Sequence, residues 1–119
     1  DLCRIHNEKQ PEFYFYNDTT FIFGDLSIQT YYPGEGHTKD NIVLWFDNDK
    51  ILYGGCLVKS TDNNNLGNTA DANIIDWPVS VNNVINKFPE PVFVIPGHFG
   101  WDNNQGLQHT LELLKKNDK

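Results

Sequence analysis

The middle of the chain reads Ile51-Leu52-Tyr53-Gly54-Gly55-Cys56-Leu57-Val58-Lys59, an apolar run that ends in two glycines and a cysteine. Two further segments share this design, in which a metal-capable side chain stands beside glycine next to an apolar run: residues 33–41 with His37, and residues 95–98 with His98. Loops at the edge of a sheet commonly carry binding and catalytic residues. We therefore predict that the two imidazoles and the thiol meet at one edge of a sheet, where they could bind zinc.

Length and composition limit the possible classes of protein. A chain of 119 residues suits one compact domain, residues 1–119, and its 39% hydrophobic content fits a soluble globular fold. No apolar run approaches the ~20 residues that a membrane span requires. The net charge of -7 repels phosphate backbones, so we expect no nucleic-acid partner.

The pattern of apolar residues predicts strands that alternate with two helices. The predicted strands are residues 12–16, 19–23, 26–32, 41–46, 51–53 and 91–95. The first three form a meander, and residues 41–46 and 51–53 form a hairpin. One helix begins after Asp76, whose carboxylate we expect to cap it. A second helix covers residues 105–116, with Leu107, Leu111 and Leu114 on one stripe. Residues 59–69 are predicted to form a flexible loop with almost no core-forming side chains.

Each candidate residue also has a plain structural interpretation. His37 could be an exposed loop residue, Cys56 a small buried hydrophobe and Lys59 a solvated lysine, whereas His98 is the best single candidate for function. Spacing alone does not decide between a metal site and three unrelated side chains. Zinc does select imidazole and thiolate, and three such ligands leave an open position for chemistry.

The remaining histidines and the second cysteine carry no such pattern. His6 lies near the beginning of the chain and His109 lies among polar neighbours on the predicted second helix, so we assign neither a function. A disulfide between Cys3 and Cys56 is possible by count but disfavoured, because a single bridge forms no framework.

The chain resembles the carboxyl-terminal half of a class B metallo-β-lactamase of the subclass whose second zinc site contains a cysteine. The resemblance extends from about residue 13 to residue 116. Its motifs occur in the family's order: Tyr31-Tyr32-Pro33-Gly34-Glu35-Gly36-His37-Thr38-Lys39-Asp40-Asn41-Ile42-Val43, Ile51-Leu52-Tyr53-Gly54-Gly55-Cys56-Leu57-Val58-Lys59, Leu66-Gly67-Asn68, Ala70-Asp71-Ala72-Asn73, Trp77-Pro78 and Val94-Ile95-Pro96-Gly97-His98.

The resemblance implies a role for each matching residue. His37 corresponds to one ligand of the first zinc, and Cys56 and His98 correspond to two ligands of the second zinc. Lys59 corresponds to the ammonium group that pairs with the substrate carboxylate, and Asn68 to the catalytic amide that polarises the lactam carbonyl. The implied reaction is zinc-dependent hydrolysis of the β-lactam amide bond, which confers antibiotic resistance. The implied location is the periplasm.

The implied fold class is α/β: half of an αββα sandwich, with a mainly antiparallel or mixed sheet and helices on its outer face. The family's His-x-His-x-Asp motif, which supplies the other zinc ligands, does not occur in these residues. We therefore expect an incomplete ligand set for the two zinc ions of the complete enzyme, and little or no activity from this chain alone. Asp40 is expected to form loop hydrogen bonds or to orient a metal-bound histidine.

A half sandwich would expose the apolar face that the other half covers. We expect Phe21, Ile42, Leu44 or their neighbours on that face, and a complementary amino-terminal half or a second copy of the chain as the partner. Two other functions stay open at this point. The chain could be a non-catalytic zinc-binding module, or an interaction domain that keeps the scaffold without metal.

Overall fold

The computed structural model describes residues 18–117. The predicted strand at residues 12–16, together with Cys3 and His6, lies outside this range. The proposal that residues 1–119 form one domain therefore stays a prediction.

Five strands form one sheet, with two helices after its fourth and fifth strands. The strands are β1 (Thr20–Phe23), β2 (Leu26–Tyr31), β3 (Val43–Phe46), β4 (Ile51–Gly55) and β5 (Phe93–Pro96), and the helices are α1 (Trp77–Lys87) and α2 (Gly106–Asn117). The strand order is β1-β2-β3-β4-β5. The first four strands pair antiparallel, and β5 pairs parallel to β4. The predicted hairpin, the mixed sheet and the pairing of the second and third strands of the predicted meander are confirmed.

The sheet has two unlike faces because side chains of a strand alternate between them. The covered face, which packs against the helices, contains the largely buried side chains Tyr31, Val43, Trp45, Leu52 and Val94. The open face is defined by the strand register, and its apolar side chains are Phe21, Phe23, Leu26, Ile28, Leu44, Phe46, Ile51, Tyr53, Phe93 and Ile95. Both faces are apolar.

The core lies between the covered face and the two helices. Trp77, Val81 and Val84 of α1 are fully buried, and Phe88 at the end of this helix stacks on Trp45 with ring centroids 4.9 Å apart. The predicted leucine stripe of α2 is also confirmed. Leu107 and Leu114 are buried, and Leu111 packs against the same core. Neither helix of residues 18–117 has the length and apolar character needed to cross a lipid bilayer.

The open face keeps much of its apolar surface accessible within residues 18–117. Phe21, Ile42 and Tyr53 are 38%, 40% and 41% exposed, and Leu44 is half-buried. The expectation that Phe21 and Ile42 would be exposed is confirmed. Leu44 is more enclosed than expected, because it pairs with Thr30 on one side and Tyr53 on the other in the middle of the sheet.

The helix α1 begins at Trp77, directly after Asp76 as predicted, but its cap differs from the prediction. Asp76 occupies the capping position, but its carboxylate makes no capping hydrogen bond to the helix. Instead it accepts a hydrogen bond of 2.9 Å from Nδ2 of Asn73, while Oδ1 of Asn73 accepts one from the N–H of Asp76. The carbonyl of Asn73 then receives the N–H of Trp77. Asn73 therefore organises this helix start, because a side-chain amide can both donate and accept.

Candidate functional site

All five residues singled out from the sequence line one open pocket. His37, Cys56, Lys59, Asn68 and His98 come from four separate segments, and the pocket measures about 820 Å³. The rest of its lining consists of Asp62, Asn63, Asn64, Asn65, Gly67 and Phe99. The sequence pattern therefore located a real cavity.

Cys56 and His98 form the closest pair in the pocket. They follow the ends of β4 and β5, and because these strands run parallel their carboxyl ends meet at one edge of the sheet. The thiol Sγ and the imidazole Nε2 lie 3.8 Å apart. Two ligands of one tetrahedral zinc ion would be roughly 3.6 Å apart, so this separation suits a shared ion. Cys56 is a free cysteine.

Gly97 makes this approach possible because it lacks a side chain. A Cβ at this position would lie 2.7 Å from Sγ of Cys56 and 2.8 Å from its backbone nitrogen. The backbone contact cannot be relieved by rotating a side chain. A glycine is therefore required wherever the β5 loop carries His98 past Cys56.

The loop that carries His37 is fixed by α1. Oγ of the buried Ser80 donates a hydrogen bond of 2.6 Å to the carbonyl of Glu35, and Nδ2 of Asn83 donates one of 2.9 Å to the carbonyl of Pro33. Within the loop, the ring of His37 packs edge-on against Trp77, with centroids 5.8 Å apart. The helix thus holds the imidazole at the pocket wall.

Burial lowers the pKa of His37, the positive charges of Lys59 and His98 lower it further, and the charge of Asp71 opposes them. A lowered pKa favours the neutral imidazole, which is the form that binds metal. Among residues 18–117, Nδ1 of His37 is buried without a hydrogen-bond partner. Such an atom requires an explanation, and a bound ion is one that the chemistry of the pocket allows.

Lys59 lies at the back of the pocket and is only 7% exposed. Its backbone N–H donates to Oγ1 of Thr110, so α2 fixes its position, and its Nζ lies 5.7 Å from the ring centroid of Trp77. Burial lowers the pKa of Lys59, and the nearby Cys56 raises it. The ammonium group therefore lies beside an aromatic face in a pocket that Cys56 also lines, a setting in which a buried cation can attract an anionic group.

The loop that carries Asn68 is more ordered than the sequence indicated. Leu66 is 4% exposed and joins the core, and Nε2 of His109 donates a hydrogen bond of 2.7 Å to the carbonyl of Asn63. Nδ2 of Asn103 donates to Oγ1 of Thr61. The prediction of a flexible loop with almost no core-forming side chains was wrong in this respect, because one leucine and bonds from distant residues hold it. His109 serves the loop structurally.

The donor chemistry of the pocket fits zinc, but the ligand set within the described residues is incomplete. Over residues 18–117, no three His, Cys, Asp or Glu side chains are grouped so that they could hold a metal ion. Asp40 does not add a ligand: its carboxylate accepts a hydrogen bond of 3.0 Å from the Thr38 hydroxyl, which is the loop role expected of it. Any further ligands of a zinc ion at this pocket would have to come from outside this range.

Comparison with known proteins identifies the family. The chain is 42% identical over 110 residues to a metallo-β-lactamase type 2 of Elizabethkingia meningoseptica, covering 92% of this chain and 44% of the relative. A metallo-β-lactamase type 2 of Bacillus cereus is 41% identical over 115 residues, covering 97% of this chain and 45% of the relative. The chain belongs to the class B metallo-β-lactamase family. No protein-family model matches the chain.

A solved metallo-β-lactamase from Pontibacter korlensis has the same fold. The two structures superpose with a TM-score of 0.90 at 41% identity, covering 96% of this chain and 53% of the other. The chain thus spans about half the length of the metallo-β-lactamases it matches, consistent with the carboxyl-terminal half. The α/β sandwich predicted from the sequence is the fold of these relatives.

Part of the pocket lining is not predicted from the sequence. The polar residues Asp62, Asn63, Asn64 and Asn65 belong to a predicted loop without an assigned role, and Phe99 has no predicted role either. The position of the asparagine run could have predicted its place in the pocket. A loop that follows a β-strand and a candidate ligand commonly lines the binding site. No local signal marked Phe99.

Proposed function

We propose that the protein containing these residues hydrolyses the β-lactam amide bond with the help of zinc. The observation that carries this proposal is the convergence of His37, Cys56, His98, Lys59 and Asn68 on one pocket in a chain of the metallo-β-lactamase family. The relatives bear the name of that activity.

Three residues are proposed as zinc ligands. Cys56 and His98 would share one ion, as their 3.8 Å separation allows, and His37 would bind a second. The other ligands would come from the part of the protein beyond residues 18–117. When bound, zinc supplies Lewis-acid polarisation of the lactam carbonyl and activation of water at neutral pH.

Lys59 is proposed to bind the carboxylate that β-lactams carry. Its ammonium is buried in the pocket wall, where a charge-assisted hydrogen bond is stronger than in open water. Because α2 fixes the Lys59 backbone through Thr110, the cation is held in place before the substrate arrives. This role is binding and orientation, without proton transfer.

Asn68 is proposed to act on the lactam carbonyl as a hydrogen-bond donor. Its Oδ1 accepts a hydrogen bond of 3.0 Å from the N–H of Ala70, which fixes the amide orientation. Nδ2, which makes no hydrogen bond within residues 18–117, is then the group available to the substrate. Such a donor stabilises the charge that develops on the carbonyl oxygen during hydrolysis.

The open face is proposed as the contact surface of the missing sheet. Its ten apolar side chains lie beside one another across the strands, and a complementary amino-terminal half would bury them as the second layer of the sandwich. A second copy of this chain is the alternative occupant. We expect residues 1–119 alone to self-associate or to bind a hydrophobic dye, and a compact monomer that binds no dye would contradict this.

The decisive experiment uses the protein expressed from the complete reading frame that contains these residues. We expect it to hydrolyse a chromogenic cephalosporin, to lose this activity on chelation, and to regain it with zinc. Cys56→Ser should abolish hydrolysis, whereas Cys3→Ser, the matched control, should not. Residues 1–119 alone should show little or no turnover.

Metal analysis separates the remaining possibilities. A protein that retains zinc at Cys56 but hydrolyses no β-lactam would be a non-catalytic zinc-binding module, and one that retains no zinc would be an interaction domain on the same scaffold. The proposed location is the periplasm, where β-lactams arrive, and detection of the protein in the periplasmic fraction of a producing cell would test it.

A further inference from the structure

Phe99 has an unusual backbone conformation directly after His98. Its φ is 67°, in the left-handed region that residues with a Cβ rarely occupy. Within residues 18–117, only Lys50 and Glu90 among the other non-glycine residues have a positive φ. A phenylalanine here is strained, and glycine would adopt the same conformation without strain.

The surrounding structure holds Phe99 in this conformation from both sides. On one side, Gly97 packs against the backbone of Cys56 so closely that a Cβ would overlap it. On the other side, the carbonyl of Gly100 accepts a hydrogen bond of 3.1 Å from Oγ of Ser60. Strained residues persist when neighbours determine their conformation, and they are concentrated at ligand sites.

The side chain of Phe99 lines the pocket and is not part of the core. It is 69% exposed and lies in the same pocket wall as Cys56 and His98. In the described part of the chain no other ring packs on it, whereas the neighbouring Trp101 packs edge-on against Phe93, with centroids 6.1 Å apart. An exposed apolar ring at the mouth of a polar pocket is a surface for an apolar ligand group.

We propose that Phe99 is a specificity-determining residue whose ring contacts an aromatic or flat apolar substituent of the β-lactam. This inference rests on the proposed function. The polar residues Lys59 and Asn68 would recognise the lactam nucleus that all substrates share. Phe99 would then distinguish substrates by the substituent attached to that nucleus. A contact between two rings changes affinity by roughly three- to tenfold.

The test compares two ligands with the same nucleus. Benzylpenicillin carries a phenyl ring on its side chain, and 6-aminopenicillanic acid lacks the side chain. For the protein from the complete reading frame, we expect Phe99→Gly to lower the preference for benzylpenicillin about three- to tenfold. The preference is measured as the ratio of KM values with zinc and as the ratio of dissociation constants in chelator-treated protein.

Two further variants exclude a merely structural effect. Glu90→Gly relieves the same kind of backbone strain at φ 56°, on a residue that lies outside this pocket, and should leave the ratio unchanged. Phe99→Tyr keeps a ring and should retain the preference. Thermal unfolding of Phe99→Gly should occur at the same temperature as wild type or higher, because glycine removes the strain.

The outcomes separate this inference from the proposed function. A ratio that is the same in Phe99→Gly and wild type, or that falls equally in Glu90→Gly, would overturn the role of Phe99. Absence of hydrolysis with zinc would refute the proposed function, while the dissociation constants of the chelator-treated protein would still decide on Phe99. Absence of hydrolysis with zinc, together with failure of both ligands to bind, would overturn both.

Discussion

The two faces of the sheet carry similar apolar side chains but differ in what covers them. Leu52 and Tyr53 are neighbours in β4, yet Leu52 is 0% exposed beneath the helices and Tyr53 is 41% exposed on the open face. The first face is buried beneath the two helices. The second face has the apolar composition of a core, but within residues 18–117 no helix or sheet packs over it. Apolar content therefore identifies a surface that is suited to burial, and only the contacts show whether burial has taken place.

The largest expected effect is loss of Trp77 from the covered side. Trp77 is 0% exposed, and its Nε1 donates a hydrogen bond of 2.9 Å to the carbonyl of Leu57. Trp77→Ala should therefore destabilise the protein by about 3–5 kcal/mol in denaturant unfolding, since it leaves a cavity and an unpaired carbonyl. Trp101→Ala, at a residue that is 57% exposed, is the control and should cost far less. Equal losses would show that the helices do not form the principal core.

The second prediction compares adjacent residues of β4 directly. Leu52→Ala should cost about 2–5 kcal/mol of unfolding free energy wherever it is measured, because the site is fully enclosed. Tyr53→Ala should cost less than about 1 kcal/mol in residues 1–119 alone. Its cost should rise in the protein from the complete reading frame if another sheet covers the open face. An unchanged Tyr53→Ala cost in the longer protein would argue against that cover.

A third prediction concerns the edge of the sheet where the site lies. Gly97→Ala should push the β5 loop away from the Cys56 backbone, which a Cβ would approach to 2.8 Å. We expect zinc affinity to fall by about 10–100-fold, as when residues that position metal ligands are changed. Competition with a zinc chelator measures this, and near-normal affinity would show that the Cys56–His98 separation does not govern metal binding.

The smallest effect is expected at Asp47, at the rim of the covered face. The indole N–H of Trp45, the charge of Lys50 and a hydrogen bond from Lys50 hold the pKa of Asp47 below its ordinary value of 3.8. A lowered carboxyl pKa stabilises the fold above pH 3.8, and this contribution is lost as the pH falls through the folded-state pKa. Asp47→Asn should therefore be slightly less stable than wild type at pH 7, and the difference should vanish in acid. A difference that persists at pH 2 would point to another cause.

Much of the fold could be predicted from the sequence because its signals are local. Strand alternation gave β1 to β4 within one or two residues, and the leucine spacing gave α2. The start of α1 was predicted correctly, but the capping hydrogen bond was not, because Asp76 has the right residue type in the right place. The competing bonds with Asn73, three residues earlier, depend on a turn geometry that residue type does not reveal.

The pocket was predictable to the extent that its candidate metal ligands stand beside glycine at strand ends. Convergence itself required the parallel pairing of β4 and β5, which joins residues about 40 positions apart and cannot be read from local pattern. The backbone conformation of Phe99 could not be predicted from the sequence, for a different reason. Its conformation is imposed by Gly97 and Gly100 contacts with other loops, and a phenylalanine in sequence predicts an extended or helical backbone.

The parallel pairing of β4 and β5 also has a consequence for the order of folding events. The antiparallel hairpins of β1 to β4 need only short chain closures, whereas β5 can join β4 only after a long segment containing α1 has been brought into place. Cys56 and His98 therefore come together late in the assembly of the chain. Zinc could bind to both residues only after β5 has paired with β4. Zinc binding would therefore report that this late step of folding is complete.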